Sequence, residues 1–289
     1  MEKYFDGKKI RDEILGEIAN KIVKMKRKPN LAVFLIGNNP VCRQYVELKK
    51  KMAEKTGILF CLYEFDEKTP EDDILTAIDF LNSDAETDGI MIQIPLPKAF
   101  DREKLIARIS PEKDIDGLRF CLGLESRFRP PVVLAIMEAL ARSQNLNIHA
   151  LQSKKIVLLG HGFLVGAPLT RVLQEQGLNP LVITNEKENF QEISPPLSGS
   201  RNDKGVMLVH DDIKGADILI SATGSPKLIK ADMVKEGVAL IDAGTAEENG
   251  DLVGDIDPKA DEKASYYTPV PGGIGPVTIA KLFYNLVGK

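Results

Sequence analysis

Short apolar runs of strand length alternate with helical stretches along most of this chain. Lys9 to Lys26 has helical character, Asn30 to Ile36 is a continuous apolar run, and Pro40 to Lys55 is helical. Ile58 to Phe65 follows as a strand, Glu71 to Asn82 as a helix, and Gly89 to Ile94 as a buried strand. This βαβαβ rhythm implies parallel strands with helices crossing over between them. A second series begins after Pro131. Val132 to Arg142 reads as helix, Lys155 to Leu159 as strand and Gly166 to Gln176 as helix. Pro180 to Ile183, Asp217 to Ser221, Val238 to Asp242 and the Tyr266-Tyr267 region read as further strands, and Val277 to Leu286 as a terminal helix. The switch between the two series falls near Gly117 to Pro131. The expectation is an α/β protein of two domains: residues 1–122, completed by 270–289, and a Rossmann-like domain over 123–269. In that arrangement the C-terminal helix returns to the first domain.

At 289 residues the chain is long enough for two domains. A net charge of -4 gives no reason to expect a nucleic-acid partner. Met1-Glu2-Lys3-Tyr4 lacks the apolar core of a signal peptide, and no run of eighteen apolar residues suits a membrane span, so a cytoplasmic protein is expected. Cys42, Cys61 and Cys121 are odd in number and form no C-x-x-C pair, which reads as reduced thiols. His149, His161 and His210 are not at metal-ligand spacing. Ser194 to Gly205, rich in Ser, Pro, Gly and charge, reads as a surface loop.

Several segments carry candidate chemistry. Tyr45 and Lys49 are four residues apart, so on a helix they share a face. An ordinary amphipathic helix would look the same. Gln93 closes an apolar strand, where a polar group needs a partner. Asp116 precedes Gly117 and would serve equally as a turn residue. Gly160, Gly162 and Gly166 follow a strand and open a helix, an arrangement suited to a phosphate at the helix N-terminus, although the spacing is not G-x-G-x-x-G. Thr268 to Thr278 packs three prolines and three glycines into eleven residues, which predicts a stiff loop with little side chain before the last helix.

The order of these segments is more telling than any one of them. Tyr45-Val46-Glu47-Leu48-Lys49, Gly89 to Pro97 with its Gln-Ile-Pro-Leu-Pro, Pro111 to Gly117, Gly160 to Pro168, Asp242-Ala243-Gly244, Gly254-Asp255-Ile256 and the Pro/Gly loop succeed one another. Together they resemble the bifunctional methylenetetrahydrofolate dehydrogenase/methenyltetrahydrofolate cyclohydrolase family, from Phe5-Asp6-Gly7-Lys8 to the last helix. The resemblance implies tetrahydrofolate derivatives as substrates, a nicotinamide cofactor and a homodimer. It implies that Lys49 is the central catalytic group, that Tyr45 packs on the folate, and that Gln93 hydrogen-bonds the lysine. Asp116 would recognise the pterin ring, with Pro95, Leu96, Pro271, Gly272 and Gly273 also lining the substrate. Gly160, His161, Gly162, Leu164, Val165, Thr223, Gly224, Gly273 and Ile274 would hold the cofactor. The two sets are expected to face each other across a cleft.

The departures from the family concentrate in the cofactor half. Gly160-His161-Gly162 stands where Gly-Arg-Ser is usual, and Pro130-Pro131-Val132-Val133 replaces Pro-Cys-Thr-Pro. Asn185-Glu186-Lys187-Glu188 replaces a His-Ser-x-Thr-like segment. A 2′-phosphate calls for a cation, and Arg is the usual one. Glu186, twenty-six residues beyond Gly160, is near the interval at which a carboxylate binds the ribose hydroxyls of NAD. NAD is therefore favoured over NADP, while Lys187 and Arg201 could rebuild a phosphate site. Two alternatives stay open: a cyclohydrolase with weak or lost dehydrogenase activity, and a non-catalytic folate- or nucleotide-binding module.

Overall fold

A computed structural model describes residues 3–143, 148–184, 210–248 and 250–288. The chain packs as two compact units. One comprises Lys9–Pro131 and Thr278–Lys289; the other comprises Met1–Lys8 and Val132–Val277.

The first unit is built on a three-stranded parallel sheet in the order β2-β1-β3. Its elements are α1 (Gly7–Val23), β1 (Asn30–Ile36), α2 (Pro40–Thr56), β2 (Leu59–Phe65), α3 (Glu71–Ser83), β3 (Gly89–Ile92), α4 (Arg102–Arg108) and α5 (Leu118–Cys121). The central strand β1 is buried from Leu31 to Ile36 and the edge strand β2 alternates, as expected for a sheet covered on both faces at its middle. The Phe34 ring stacks on Tyr63 and Phe65, with centroids 5.4 Å apart in both pairs. Ile74, Ile78 and Leu81 of α3 and Leu105 and Ile109 nearby seal that face. Asn39 caps α2 by accepting from the Val41 and Cys42 N–H groups at 2.9 and 3.2 Å.

The second unit carries a five-stranded, all-parallel sheet in the order β10-β7-β6-β4-β5. Here α6 (Pro131–Arg142) and α7 (Ile148–Leu151) lead into β4 (Ile156–Leu159), α8 (Gly166–Glu175), β5 (Leu181–Ile183), β6 (Ile218–Ser221) and β7 (Ala239–Asp242). The hairpin β8 (Ala246–Glu248) and β9 (Asp251–Val253) precedes β10 (Tyr266–Tyr267). Residues 3–5 extend the β10 edge: Phe5 N–H donates to Tyr267 O at 2.8 Å and Tyr267 N–H to Lys3 O at 3.1 Å.

The last helix, α9 (Ile274–Val287), starts three residues earlier than its apolar pattern suggests. Gly275 and Pro276 lie in its first turn, where a missing N–H costs nothing because that donor has no helical acceptor. From Thr278 onward α9 belongs to the first unit, so the C-terminus does return there. The β8–β9 hairpin was not anticipated, although Asn249-Gly250 between two short runs is a strong hairpin signal. Ser194–Gly205 and Asn185–Glu188 lie outside the described residues.

Candidate active site

In the first unit, α2 brings Lys49 to the end of β3. The Lys49 ammonium donates to Gln93 Oε1 at 2.9 Å and to Met91 Sδ at 3.5 Å. Gln93 is only 8% exposed, and both ends of its amide are engaged: the carbonyl faces the lysine while Nε2 donates to Ile94 O at 2.8 Å. That second bond fixes which end of the amide meets Lys49. Burial pulls the lysine below its ordinary range, opposed by attraction to Asp116 and to the Cys42 sulfur. Burial likewise raises the Asp116 carboxyl, and Lys49 pulls it back. Lys49, Gln93 and Asp116 therefore form one electrostatically coupled group. Tyr45 lies one helical turn before Lys49 and is 41% exposed, leaving its ring open.

The Asp116 turn is held from several sides. Gly117 adopts φ 64°, and a Cβ there would sit 2.6 Å from Pro130 N. Asp114 is fully buried and accepts from the Leu118 and Arg119 N–H groups at 3.2 and 2.8 Å. Its carboxyl is pushed up to about 7, chiefly by burial. Asn285 of α9 donates to Ile115 O at 2.8 Å and to Arg129 O at 3.0 Å. Lys113 anchors the same segment by donating to Leu81 O and Asp84 O, both at 2.7 Å. After β3 the Ile94-Pro95 peptide is cis, and the Cys42 thiol lies 3.7 Å from Pro95 O. Pro95 is exposed, while Leu96 packs against the α3 side of the core.

Sequence reasoning missed Asp114, Asn285 and Cys42 as parts of this site. For Asn285 the signal was a polar residue inside an otherwise apolar helix. For Asp114 it was a second carboxylate two residues before Asp116. Cys42, read only as a reduced thiol, is buried on the Lys49 face of α2.

The other predicted residues belong to the second unit. Gly160 ends β4 with φ 90°, and a Cβ there would lie 2.6 Å from Ala222 O. A Cβ on Gly166 would lie 2.1 Å from Gly160 O, so the turn between β4 and α8 closes only on glycine. His161, Gly162 and Leu164 are exposed on this turn, and Val165 immediately precedes α8. Thr223 and Gly224 follow β6 at the carboxyl edge of the sheet. Gly272 has φ 112°, Gly273 N–H donates to Pro269 O at 2.7 Å, and Ile274 opens α9. Pro271 is exposed after a cis peptide. Glu186 lies outside the described residues.

These features define a class: an α/β enzyme with a lysine-centred polar site on one parallel sheet and a Rossmann-like, glycine-turn nucleotide-binding unit on another. Residues 5–116 match the family model of the tetrahydrofolate dehydrogenase/cyclohydrolase catalytic domain, and residues 202–289 match that of its NAD(P)-binding domain. The chain belongs to the tetrahydrofolate dehydrogenase/cyclohydrolase family. It is 38% identical over 286 residues to the bifunctional protein FolD of Aquifex aeolicus, covering 96% of this chain and 90% of that protein. The bifunctional FolD methylenetetrahydrofolate dehydrogenase/cyclohydrolase of Campylobacter jejuni superposes with a TM-score of 0.85 at 32% identity, over 99% of this chain and 97% of that one. The Trypanosoma brucei methylenetetrahydrofolate dehydrogenase-cyclohydrolase, solved with NADP and an inhibitor, gives 0.81 at 27% identity, over 98% and 95%.

Proposed function

We propose that this chain oxidises methylenetetrahydrofolate to the methenyl form with a nicotinamide cofactor and hydrolyses the methenyl form to formyltetrahydrofolate. The observation that carries the reading is the half-buried Lys49–Gln93 hydrogen bond at 2.9 Å. Burial lowers the proton affinity of Lys49, which favours the neutral amine that a base needs. Water attacks the methenyl carbon while Lys49 takes one of its protons. The remaining hydroxyl proton passes to the departing ring nitrogen as the C–N bond breaks, leaving the formyl group. Lys49 then returns its proton to solvent. Gln93 accepts from Lys49 and so keeps the amine aimed. Asp116 accepts from the amino-pyrimidine edge of the pterin, Tyr45 supplies a ring against it, and Pro95, Leu96 and Pro271 to Gly273 complete the substrate contacts. The folate-binding domain is assigned to residues 1–122 with 270–289 and the cofactor domain to 123–269.

The second unit suits a dinucleotide. The Gly160–Gly166 turn leaves no room for side chains where it meets Ala222, and Gly162 is open, so backbone can approach a pyrophosphate closely. Gly160, His161, Gly162, Leu164, Val165, Thr223, Gly224, Gly273 and Ile274 would hold the cofactor. When bound, the nicotinamide takes the two electrons that the methylene group loses. NAD is preferred over NADP in this reading, because an exposed His161 and Gly162 offer a 2′-phosphate less than an Arg-Ser pair, and Glu186 would repel it. The same departures favour a second reading, a cyclohydrolase with weak dehydrogenase activity. The protein is proposed to act in the cytoplasm as a homodimer.

Spectrophotometry tests the two activities and the cofactor preference. Methenyl formation is followed from methylenetetrahydrofolate with NAD and with NADP, and then the decay of added methenyltetrahydrofolate. Both reactions, with a larger specificity constant for NAD, are expected. Decay without methenyl formation selects the second reading; a larger constant for NADP overturns the cofactor preference; neither reaction overturns the function.

A further inference from the structure

A buried carboxylate outside the catalytic group organises the loop assigned to the cofactor. Asp255, in the segment between β9 and β10, is fully buried. Its Oδ2 accepts three hydrogen bonds: from Ser221 Oγ at 2.7 Å, Thr223 N–H at 2.7 Å and Thr223 Oγ1 at 2.9 Å. Its Oδ1 is also buried and has no partner among the described residues. Three donors gathered on one oxygen suit an anion.

The segment is shaped to deliver that oxygen. Asp242, at the end of β7, accepts from the Asp255 and Ile256 N–H groups at 3.2 and 2.9 Å and from Gly244 N–H at 3.0 Å. A Cβ on Gly244 would lie 2.0 Å from Asp255 Cγ, and one on Gly254 would lie 2.2 Å from Asp242 Oδ2. Both glycines are thus required by the two carboxylates. The Ile229 N–H bond to Asp255 O at 3.0 Å clamps the segment from the other side. Everything held by Asp255 Oδ2 belongs to one stretch, Ser221 to Thr223. That stretch also lies against the glycine turn, since Ala222 O is the atom a Cβ on Gly160 would strike at 2.6 Å.

We propose that Asp255 is a positioning residue for hydride transfer: its carboxylate holds Ala222–Gly224 against the Gly160 turn in the shape that receives the nicotinamide cofactor. The proposal rests on the assignment of Thr223 and Gly224 to that cofactor. An asparagine keeps the size of the side chain but not the role. Its single carbonyl would face three donors without a charge, and its NH2 group would be buried where no acceptor stands.

The test uses the full-length enzyme and reads both reactions, because the hydrolysis consumes no nicotinamide. Asp255→Asn is expected to raise the cofactor KM about tenfold with a smaller change in dehydrogenase kcat, while cyclohydrolase stays at the parent rate. Thr223→Val, which removes one hydroxyl donor and keeps the N–H, should raise the cofactor KM about threefold, and Thr223→Ser should restore it. Gly224→Val strikes the loop directly, at φ 69°. If Gly224→Val leaves the cofactor KM unchanged, the loop does not bind the cofactor and the underlying assignment fails. If Gly224→Val raises KM while Asp255→Asn and Thr223→Val do not, the assignment stands and the positioning role is overturned. If Asp255→Asn does not fold, the Thr223→Val and Thr223→Ser pair decides: equal cofactor KM values in the two overturn the role.

Discussion

The two units solve the same architectural problem with opposite materials. In the first, the polar group is built from long side chains, Lys49 and Gln93, that meet over the end of a buried strand. In the second, the close fits are in the main chain, with glycines at 160 and 166 where a single Cβ would collide and aspartates at 242 and 255 that hold backbone N–H groups. Side-chain chemistry is tolerant of backbone detail but intolerant of substitution at a few atoms. Main-chain recognition is the reverse: many residue types could line it, but the path of the chain must be kept.

The largest expected effect attacks the side-chain half. Lys49→Met should lower cyclohydrolase at least ~1000-fold and leave dehydrogenase within about threefold, because a positioned base contributes on that scale. An assay of methenyl decay at the parent rate would end the proposed role for Lys49. The mirror experiment attacks the main-chain half. Gly166→Val should lower dehydrogenase roughly 10- to 100-fold at fixed cofactor, since forcing methyl groups into a closed turn costs about 1–3 kcal/mol. Cyclohydrolase should persist, and equal loss of both activities would show that the two halves are not separable in this way.

Asn285→Leu comes next. It strips two buried carbonyls, Ile115 O and Arg129 O, of their donor. A loss of about 2 kcal/mol in urea unfolding is expected, with a raised folate KM through the Asp116 turn; an unchanged folate KM would mean that the turn does not depend on α9.

A last comparison sets the buried aspartates of the two units side by side. Asp114 in the first unit and Asp242 in the second are both pushed up to about 7, with burial the leading cause. Each folded form keeps a proton that the unfolded chain has released above its ordinary carboxylate range. Stability is therefore greatest below about pH 4 for these groups and is lost as pH rises toward 7, by at most about 1.4 kcal/mol per pH unit for each. Asp114→Asn and Asp242→Asn should each flatten that decline in thermal melts from pH 4 to 8. A slope unchanged in either variant would remove that residue from the account.

The division also explains what could be read from the chain. The βαβ rhythm placed β1 and β7 closely because β1, a continuous apolar run, and the Val238 to Asp242 pattern are determined locally. The shared face of Tyr45 and Lys49 and the need of Gln93 for a partner are short-range signals, but only the resemblance to the family singled these residues out. Asn285 and Asp255 were not legible, because their partners lie elsewhere in the chain: Asn285 binds a carbonyl 170 positions away, and Asp255 binds a loop 32 to 34 positions away; Asp114 was passed over although its partners are only four and five residues on. The start of α9 was misplaced because Gly and Pro signal a break in general but are permitted in a first turn. Cofactor choice was hardest, since it rests on an exposed turn and on Glu186.

The return of α9 has a consequence for how the protein is made. Asn285 follows the whole Val132–Val277 stretch in chain order, so the turn bearing Asp116 receives its donor only after that stretch has been synthesised. Most of the unit encoded second can emerge from the ribosome before the unit encoded first has its closing helix. A chain cut before Asn285 should therefore keep its five-stranded sheet and leave the carbonyls of Ile115 and Arg129 without their donor.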